Sequence, residues 1–166
     1  MLILENNGYA YSTPTSKQSG VEWFVDRAAG YGVLGLQVDG NDAEAVYNAT
    51  RTACEHARSG KGPVLIEAIT FRMNGHAEHD DASYVPAELV KAWAKRDPIE
   101  ILRKRLVEDG VKSAKQLDNL ETKIFEQLKG DYEFALASAM PDPLFACGGV
   151  VDGQALSEPH PRRAGR

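Results

Sequence analysis

The stretch that decides the fold is PVLIEAITF, residues 63–71, a nearly unbroken run of apolar side chains. A strand that is covered on both faces in a parallel sheet has this composition, because neither face needs polar side chains toward water. Two shorter apolar segments precede it, at residues 2–5 and within GLQVDG at residues 35–40. We predict a strand at each of the three.

Helical patterns separate these predicted strands. Apolar residues recur at i, i+3, i+4, i+7 and i+8 from residue 21, and Gly30 ends that pattern. After the second strand, Asn41 followed three residues later by Glu44 predicts a capping box for a helix that ends at Gly60. The order strand, helix, strand, helix, strand is typical of an α/β fold. We expect a partial doubly wound parallel sheet, followed by helices.

Three further helices are predicted after the third strand. Pro86 suits a first helical turn, the sequence DPIE at residues 97–100 opens a second helix, and Ser113 with Gln116 caps a third. Three strands are few for 166 residues, so the sheet should leave apolar surface that another chain or further sequence would cover.

Composition sets the broad class. A net charge of -5 without a basic stripe argues against nucleic acid or an anionic membrane surface as a partner. No apolar stretch approaches the roughly 20 residues that span a bilayer, and no signal peptide is recognisable, so we expect a cytoplasmic protein. Cys54 and Cys147 should be reduced and structural. We assign residues 1–147 to one domain and expect a disordered tail at 148–166.

Two asparagines followed by Gly8 and Tyr9 come directly after the first strand. In open α/β sheets ligands bind beyond the carboxyl ends of the strands. The carbonyl oxygen of an asparagine side chain suits Mg²⁺, which prefers a shell of hard oxygen ligands. The segment ENNGY also reads as a simple turn, because Asn and Gly tolerate positive φ. The residues alone leave both interpretations open.

A second polar cluster, FRMNGHAEHDD at residues 71–81, follows the third strand. Arg72 and His76 could bind phosphate oxygens, since guanidinium forms paired hydrogen bonds and imidazole can carry a proton near neutral pH. His76 and His79 with Asp80 could instead hold a transition metal. A solvated polar loop is the third possibility. There is no phosphate-binding P-loop, nucleophile elbow or dinucleotide-binding glycine motif in the sequence.

Four segments together resemble a known family. ENNGYAYSTPTSKQ, VDGNDAEAVYNATR, GPVLIEAITFRMNGHAEHDDASY and RDPIE are similar, in order and spacing, to the alpha subunit of the thiamine diphosphate-dependent dehydrogenase component of 2-oxo acid dehydrogenase complexes. That family includes the pyruvate, branched-chain 2-oxo acid and acetoin enzymes. The resemblance runs from about residue 3 to 108 and more loosely to 147, and it matches the carboxy-terminal part of such a subunit.

The resemblance implies roles for particular residues. Asn7 through its side chain and Tyr9 through its backbone carbonyl would bind Mg²⁺. Arg72 and His76 would face the diphosphate, and His76 would also be catalytic, near the lipoyl group. The family's cofactor motif begins with Gly-Asp-Gly, whose aspartate is a further metal ligand, and the 166 residues do not contain it. Ala77 stands where mammalian relatives have a phosphorylated serine, so that regulation is not expected.

The implied activity is oxidative decarboxylation of a 2-oxo acid with transfer of the acyl group to a lipoyl group. The implied cofactors are thiamine diphosphate and Mg²⁺. The implied partners are a beta subunit, which supplies the glutamate that activates the cofactor, and a lipoyl-bearing acyltransferase component. Two other hypotheses stay open: a truncated, non-catalytic chain that only associates with a beta subunit or with itself, and a small metal-binding protein that uses His76, His79 and Asp80.

Overall fold

The computed structural model describes residues 1–141 and 143 of the chain. The chain divides into two compact units, Met1–Leu117 and Asp118–Arg166. The predicted disordered tail at 148–166 lies outside the described residues, and so does Cys147. Cys54 is a free, partly buried thiol.

The first unit is built on a parallel sheet of three strands. β1 (Leu2–Asn6), β4 (Leu34–Asp39) and β5 (Val64–Ile69) lie in the order β1-β5-β4. All three predicted strands are therefore confirmed, and the longest apolar run forms the central strand. With the helices between them they give the expected α/β fold.

The core lies where β5 meets α2 (Ala43–Arg58). Ala53 of the helix packs against Val64 and Ile66, and these three residues are almost completely buried. On β1, by contrast, Leu2 and Ile3 are each more than half exposed. Apolar surface therefore remains on the outer strand, as the small number of strands predicted.

The prediction of a helix from residue 21 is wrong in its extent, because the helical structure there is much shorter. Only a 3-10 turn, Phe24–Asp26, and a four-residue helix, α1 (Arg27–Gly30), form there. The backbone N–H of Val25 donates to a carboxylate oxygen of Glu67 on β5, at 2.9 Å. A contact with a distant strand thus replaces the local hydrogen bonding that the periodic pattern predicted, and Ala28 still packs inward.

The cap of α2 lies one residue later than predicted. The side chain of Asp42, not that of Asn41, accepts hydrogen bonds from the backbone N–H groups of Glu44 and Ala45, at 3.0 and 3.1 Å. Asn41 is buried instead, donates to the carbonyl of Arg96 and accepts from the hydroxyl of Thr70, both at 2.6 Å. The carboxamide of Asn41 therefore links Arg96 to Thr70, and the local sequence does not reveal this tertiary contact.

A short hairpin that was not predicted from the sequence follows β1. β2 (Tyr9–Ala10) pairs antiparallel with β3 (Thr13–Pro14), and a 3-10 turn, Thr15–Lys17, comes next. The hairpin turn passes through Tyr11, whose φ of 51° lies in the left-handed region that few residues other than glycine adopt. Strands of two residues are too short to leave a pattern in the sequence.

Three helices complete the described chain: α3 (Ala87–Ala94), α4 (Pro98–Glu108) and α5 (Ala114–Ala137). Pro86 precedes α3 rather than lying in its first turn. The predicted caps of α4 and α5 are confirmed: Asp97 accepts from the N–H of Ile99, and Ser113 and Gln116 bond each other reciprocally. Among the described residues no helix is both long and apolar enough to cross a membrane.

Candidate metal and diphosphate site

The two polar clusters singled out from the sequence lie side by side. β1 and β5 are parallel neighbours, with Asn6 paired to Ile69, so both strands end at the same edge of the sheet. The chain then continues in parallel: the N–H of Thr70 donates to the carbonyl of Asn6 at 3.0 Å, and that of Arg72 donates to the carbonyl of Asn7 at 3.3 Å. The sheet therefore places Asn7 next to Arg72, although the two residues lie 65 positions apart in the chain.

The two asparagines are used differently. Asn6 donates its amide to Glu67 at 2.7 Å, and its side-chain oxygen accepts from the N–H of Gly8 and the hydroxyl of Thr15, at 3.3 and 3.4 Å. The side-chain oxygen of Asn7 accepts only from the N–H of Tyr9, at 3.2 Å, within the described residues. Both polar atoms of the Asn6 side chain are thus hydrogen-bonded within the protein, whereas the oxygen of Asn7 keeps a lone pair for a further partner.

Tyr9 is held in place by its ring. The ring lies edge-on to Phe71, with centroids 6.2 Å apart, and tilted against Tyr84 at 5.9 Å. Together with the N–H bond to Asn7, these contacts fix the backbone at the residue whose carbonyl was predicted to bind the metal.

The donor set fits a magnesium ion as part of a shell. A neutral side-chain oxygen and a backbone carbonyl are hard ligands, and Mg²⁺ in proteins takes few of them, with phosphates and water completing its octahedron. Gly8, at a φ of 84°, forms the turn between the two ligand residues. We therefore find the residues present compatible with Mg²⁺ bound together with a diphosphate.

Arg72 carries a positive charge that no acidic side chain pairs with directly among residues 1–141 and 143. Its guanidinium donates to the carbonyls of Asn74 and Tyr11 and to the hydroxyl of Tyr84, at 3.2, 2.7 and 2.8 Å. All three acceptors are neutral, and no carboxylate in the described part of the chain forms an ion pair with it. A half-buried cation with neutral acceptors favours the approach of an anion.

His76 lies at the surface, beside Tyr11. Its ring is edge-on to that of Tyr11, with centroids 5.2 Å apart, and its backbone N–H donates to Asp80 at 2.7 Å. The ring nitrogens make no hydrogen bond to any described residue. The imidazole is therefore oriented by packing and remains available to a ligand.

Asp80, predicted only as a candidate metal ligand, and Tyr84, which was not predicted as a functional residue, organise this loop. The carboxylate of Asp80 accepts from the N–H of His76, the hydroxyl of Tyr84 and the N–H of Ala82, and these bonds, in that order, lower the pKa of Asp80. Burial raises the pKa of Tyr84, and its bond to Asp80 adds to the effect. The acidic residues after His76 are visible in the sequence, but the sequence does not show that Asp80 turns inward to bond His76 and Tyr84.

The transition-metal hypothesis receives no support from this arrangement. No group of three or more His, Cys, Asp or Glu side chains suited to a metal ion occurs among residues 1–141 and 143. The side chain of Asp80, one of the three proposed ligands, is occupied by hydrogen bonds, and His79 is exposed.

A family profile described as "Dehydrogenase E1 component" matches residues 1–144. The chain belongs to the dehydrogenase E1 component family. Three relatives illustrate the similarity, each named pyruvate dehydrogenase E1 component subunit alpha. The protein of Rhizobium meliloti (strain 1021) is 38% identical over 141 residues, which are 84% of this chain and 40% of the relative. That of Staphylococcus aureus (strain Mu50) is also 38% identical over 141 residues, 84% of this chain and 37% of the relative.

The third of these E1 relatives, from Bacillus subtilis (strain 168), is 38% identical over 145 residues, 86% of this chain and 38% of the relative. The chain thus spans about two-fifths of the length of the E1 alpha subunits it matches. The resemblance inferred from the sequence motifs is confirmed at the level of the family and of the alpha subunit.

Proposed function

We propose that this chain supplies the metal-facing turn of the alpha subunit of a thiamine diphosphate-dependent 2-oxo acid dehydrogenase. The observation that carries the proposal is the difference between the two asparagines: both polar atoms of the Asn6 carboxamide are hydrogen-bonded within the protein to three groups, whereas the oxygen of Asn7 accepts from the N–H of Tyr9 alone and keeps a lone pair for a ligand. Asn7 and the carbonyl of Tyr9 would hold Mg²⁺ at the end of β1.

The guanidinium of Arg72 would bind the diphosphate. Arg72 lies directly beside Asn7 and has only neutral acceptors, so the phosphate oxygens would neutralise it. When bound, thiamine diphosphate supplies the carbanion chemistry that decarboxylates a 2-oxo acid. His76, at the exposed edge of the same site, would hold or deliver a proton near the lipoyl group.

We infer the partners from the family. A beta subunit would complete the cofactor site, and a lipoyl-bearing acyltransferase component would accept the acyl group. The curated relatives named above are alpha subunits of pyruvate dehydrogenases, which makes pyruvate the first 2-oxo acid to test. The exposed apolar side chains of β1 are consistent with a chain that functions in an assembly.

The first experiment is a calorimetric titration of the chain with Mg²⁺ and thiamine diphosphate, alone and with a beta subunit from the same source. We expect binding in at least one setting, and we expect Asn7→Ala to weaken it about tenfold or more, because one of the few protein ligands to the cation is lost.

The matched control is Asn48→Ala, the same chemical change at an exposed position of α2. It should leave the affinity unchanged. If the unmodified chain binds no cofactor in either setting, the non-catalytic hypothesis replaces this proposal for the chain. Equal affinities of the Asn7→Ala variant and the unmodified chain would refute the assignment of the ligand.

A further inference from the structure

Glu67 is a buried acid in the middle of the central strand. Its residues on either side, Ile66 and Ala68, are apolar, and the Glu67 side chain is completely shielded from solvent. It is the one fully buried acidic side chain among the described residues. Burial of a carboxylate costs free energy unless hydrogen bonds replace its water. Such a residue therefore needs a structural or functional reason.

Both oxygens of Glu67 are used by the chain itself. One accepts from the side-chain amide of Asn6 at 2.7 Å, and the other accepts from the backbone N–H of Val25 at 2.9 Å. No Lys, Arg or His in the described part of the chain forms an ion pair with Glu67. The carboxylate thus joins two segments that are distant in sequence, and it does so as an acceptor at both atoms.

This arrangement fixes which way the carboxamide of Asn6 points. The NH₂ group of Asn6 faces the oxygen of Glu67 that accepts from it, and the oxygen of Asn6 faces the other way. That oxygen then accepts from the N–H of Gly8 and the hydroxyl of Thr15. The N–H of Gly8 can only donate, so Glu67 and Gly8 favour the same orientation and hold the carboxamide from its two ends.

We propose that Glu67 is a positioning residue for the cation site: through Asn6 it holds the turn in which Asn7 and Tyr9 present their oxygens. This inference rests on the proposed function for the identity of the ligands. That Glu67 stabilises the turn is inferred from the contacts of Glu67, Asn6 and Gly8 alone, whatever the turn binds.

The test begins with Glu67→Gln, which keeps the size of the side chain and turns one acceptor into a donor. Either Asn6 or Val25 then faces an NH₂ group, and one bond is lost. We expect hydrogen exchange of the Gly8 and Val25 amides to rise about tenfold, while exchange at Ala53 in the core of α2 stays the same. Unchanged exchange at Gly8 and Val25 overturns the inference.

A swapped pair tests the contact directly. In Asn6→Asp combined with Glu67→Gln, the glutamine amide donates to the new aspartate, its oxygen still accepts from Val25, and the pair keeps one negative charge. We expect slow exchange at Gly8 to return. If Glu67→Gln alone does not fold, a folded swapped variant supports the inference, and an unfolded one overturns it.

A titration with Mg²⁺ and thiamine diphosphate then separates positioning from structure. We expect about a tenfold loss of affinity in Glu67→Gln and recovery in the swapped pair. The control Thr70→Val, which removes another side-chain bond at the same edge, should leave the affinity unchanged. Faster exchange at Gly8 with full affinity overturns the positioning role.

A failure of the proposed function gives a different result from a failure of this inference. If the unmodified chain binds no cofactor, alone or with a beta subunit, the ligand assignment fails while the exchange measurements still decide whether Glu67 holds the turn.

Discussion

At the scale of single residues, the site depends on which polar atoms the protein already uses. Asn6 and Asn7 are neighbours of the same type, and only their contacts separate a structural asparagine from a candidate ligand. The same holds for the two histidines of the loop. His76 is packed beside Tyr11 at the edge of the site, whereas His79 is exposed and has no described partner.

These histidines give a residue-scale prediction in the proposed assembly with a beta subunit. His76→Ala should slow acyl transfer to lipoamide about a hundredfold, because a positioned proton donor or acceptor contributes that much or more. The melting temperature should hardly change, since the ring makes no described hydrogen bond. Rates with free lipoamide, measured under saturating 2-oxo acid, give the comparison.

His79→Ala is the control for this experiment, as it removes an exposed imidazole three residues away. It should leave the rate unchanged. Equal activity of both variants and the unmodified chain would mean that His76 belongs to a solvated polar loop.

At the scale of elements, an ion pair joins the start of α2 to α4. Arg105 bonds the carboxylate of Asp42 at 3.0 Å and that of Glu44 at 2.9 Å. The bond from Arg105, followed by that from the N–H of Ala45, lowers the pKa of Asp42 to about 2 from its ordinary value of 3.8. The pKa of Arg105 is raised by the same bond.

The lowered pKa predicts how stability depends on pH. A carboxyl group whose pKa is lower in the folded state stabilises the fold fully above its ordinary pKa, and this stabilisation is lost as the pH falls through the lower value. The contribution of Asp42 should therefore disappear between pH 3.8 and about pH 2. Asp42→Asn keeps a capping side chain and removes the charge, so it should flatten that part of the profile.

Melting temperatures measured from pH 5 to pH 2 check this expectation. Asp131→Asn, the same change at an exposed position of α5, should keep the slope of the unmodified chain. A slope that Asp42→Asn leaves intact would assign the acid sensitivity to other carboxylates.

At the scale of the whole molecule, burial is uneven. The first unit has a small core around Ile66, and the described part of the second unit exposes apolar side chains along α5. These exposed side chains are Leu120, Ile124, Phe125, Leu128, Tyr132, Phe134 and Leu136. Exposed apolar surface of this extent is typical of chains that meet a partner.

The difference in burial predicts that substitutions in the core and on α5 lower the free energy of unfolding by unequal amounts. Ile66→Ala should lower the free energy of unfolding by about 2–5 kcal/mol, because it leaves a cavity in the core. Ile124→Ala should cost about 0.5 kcal/mol or less, since the side chain is half exposed. Denaturant unfolding at several protein concentrations measures both values. A large cost at Ile124 that grows with concentration would show that another chain covers this helix.

The sequence by itself determined the elements that carry a strong local pattern. The apolar run at 63–71 became the central strand, and the caps at Asp97 and Ser113 lie where predicted. It also indicated the family, because ENNGY and the segment after the third strand keep a recognisable order. Such features depend on neighbours in the chain, and their physical causes are therefore readable from it.

Only the tertiary structure decided what depends on distant contacts. The helix from residue 21 shrank because Val25 bonds Glu67, and Asn41 gave up its cap to join Arg96 and Thr70. The separate uses of Asn6 and Asn7 were hidden for the same reason. A polar atom satisfies its hydrogen bonds with whichever group folding brings near, and for the end of β1 that group, Glu67, lies on another strand.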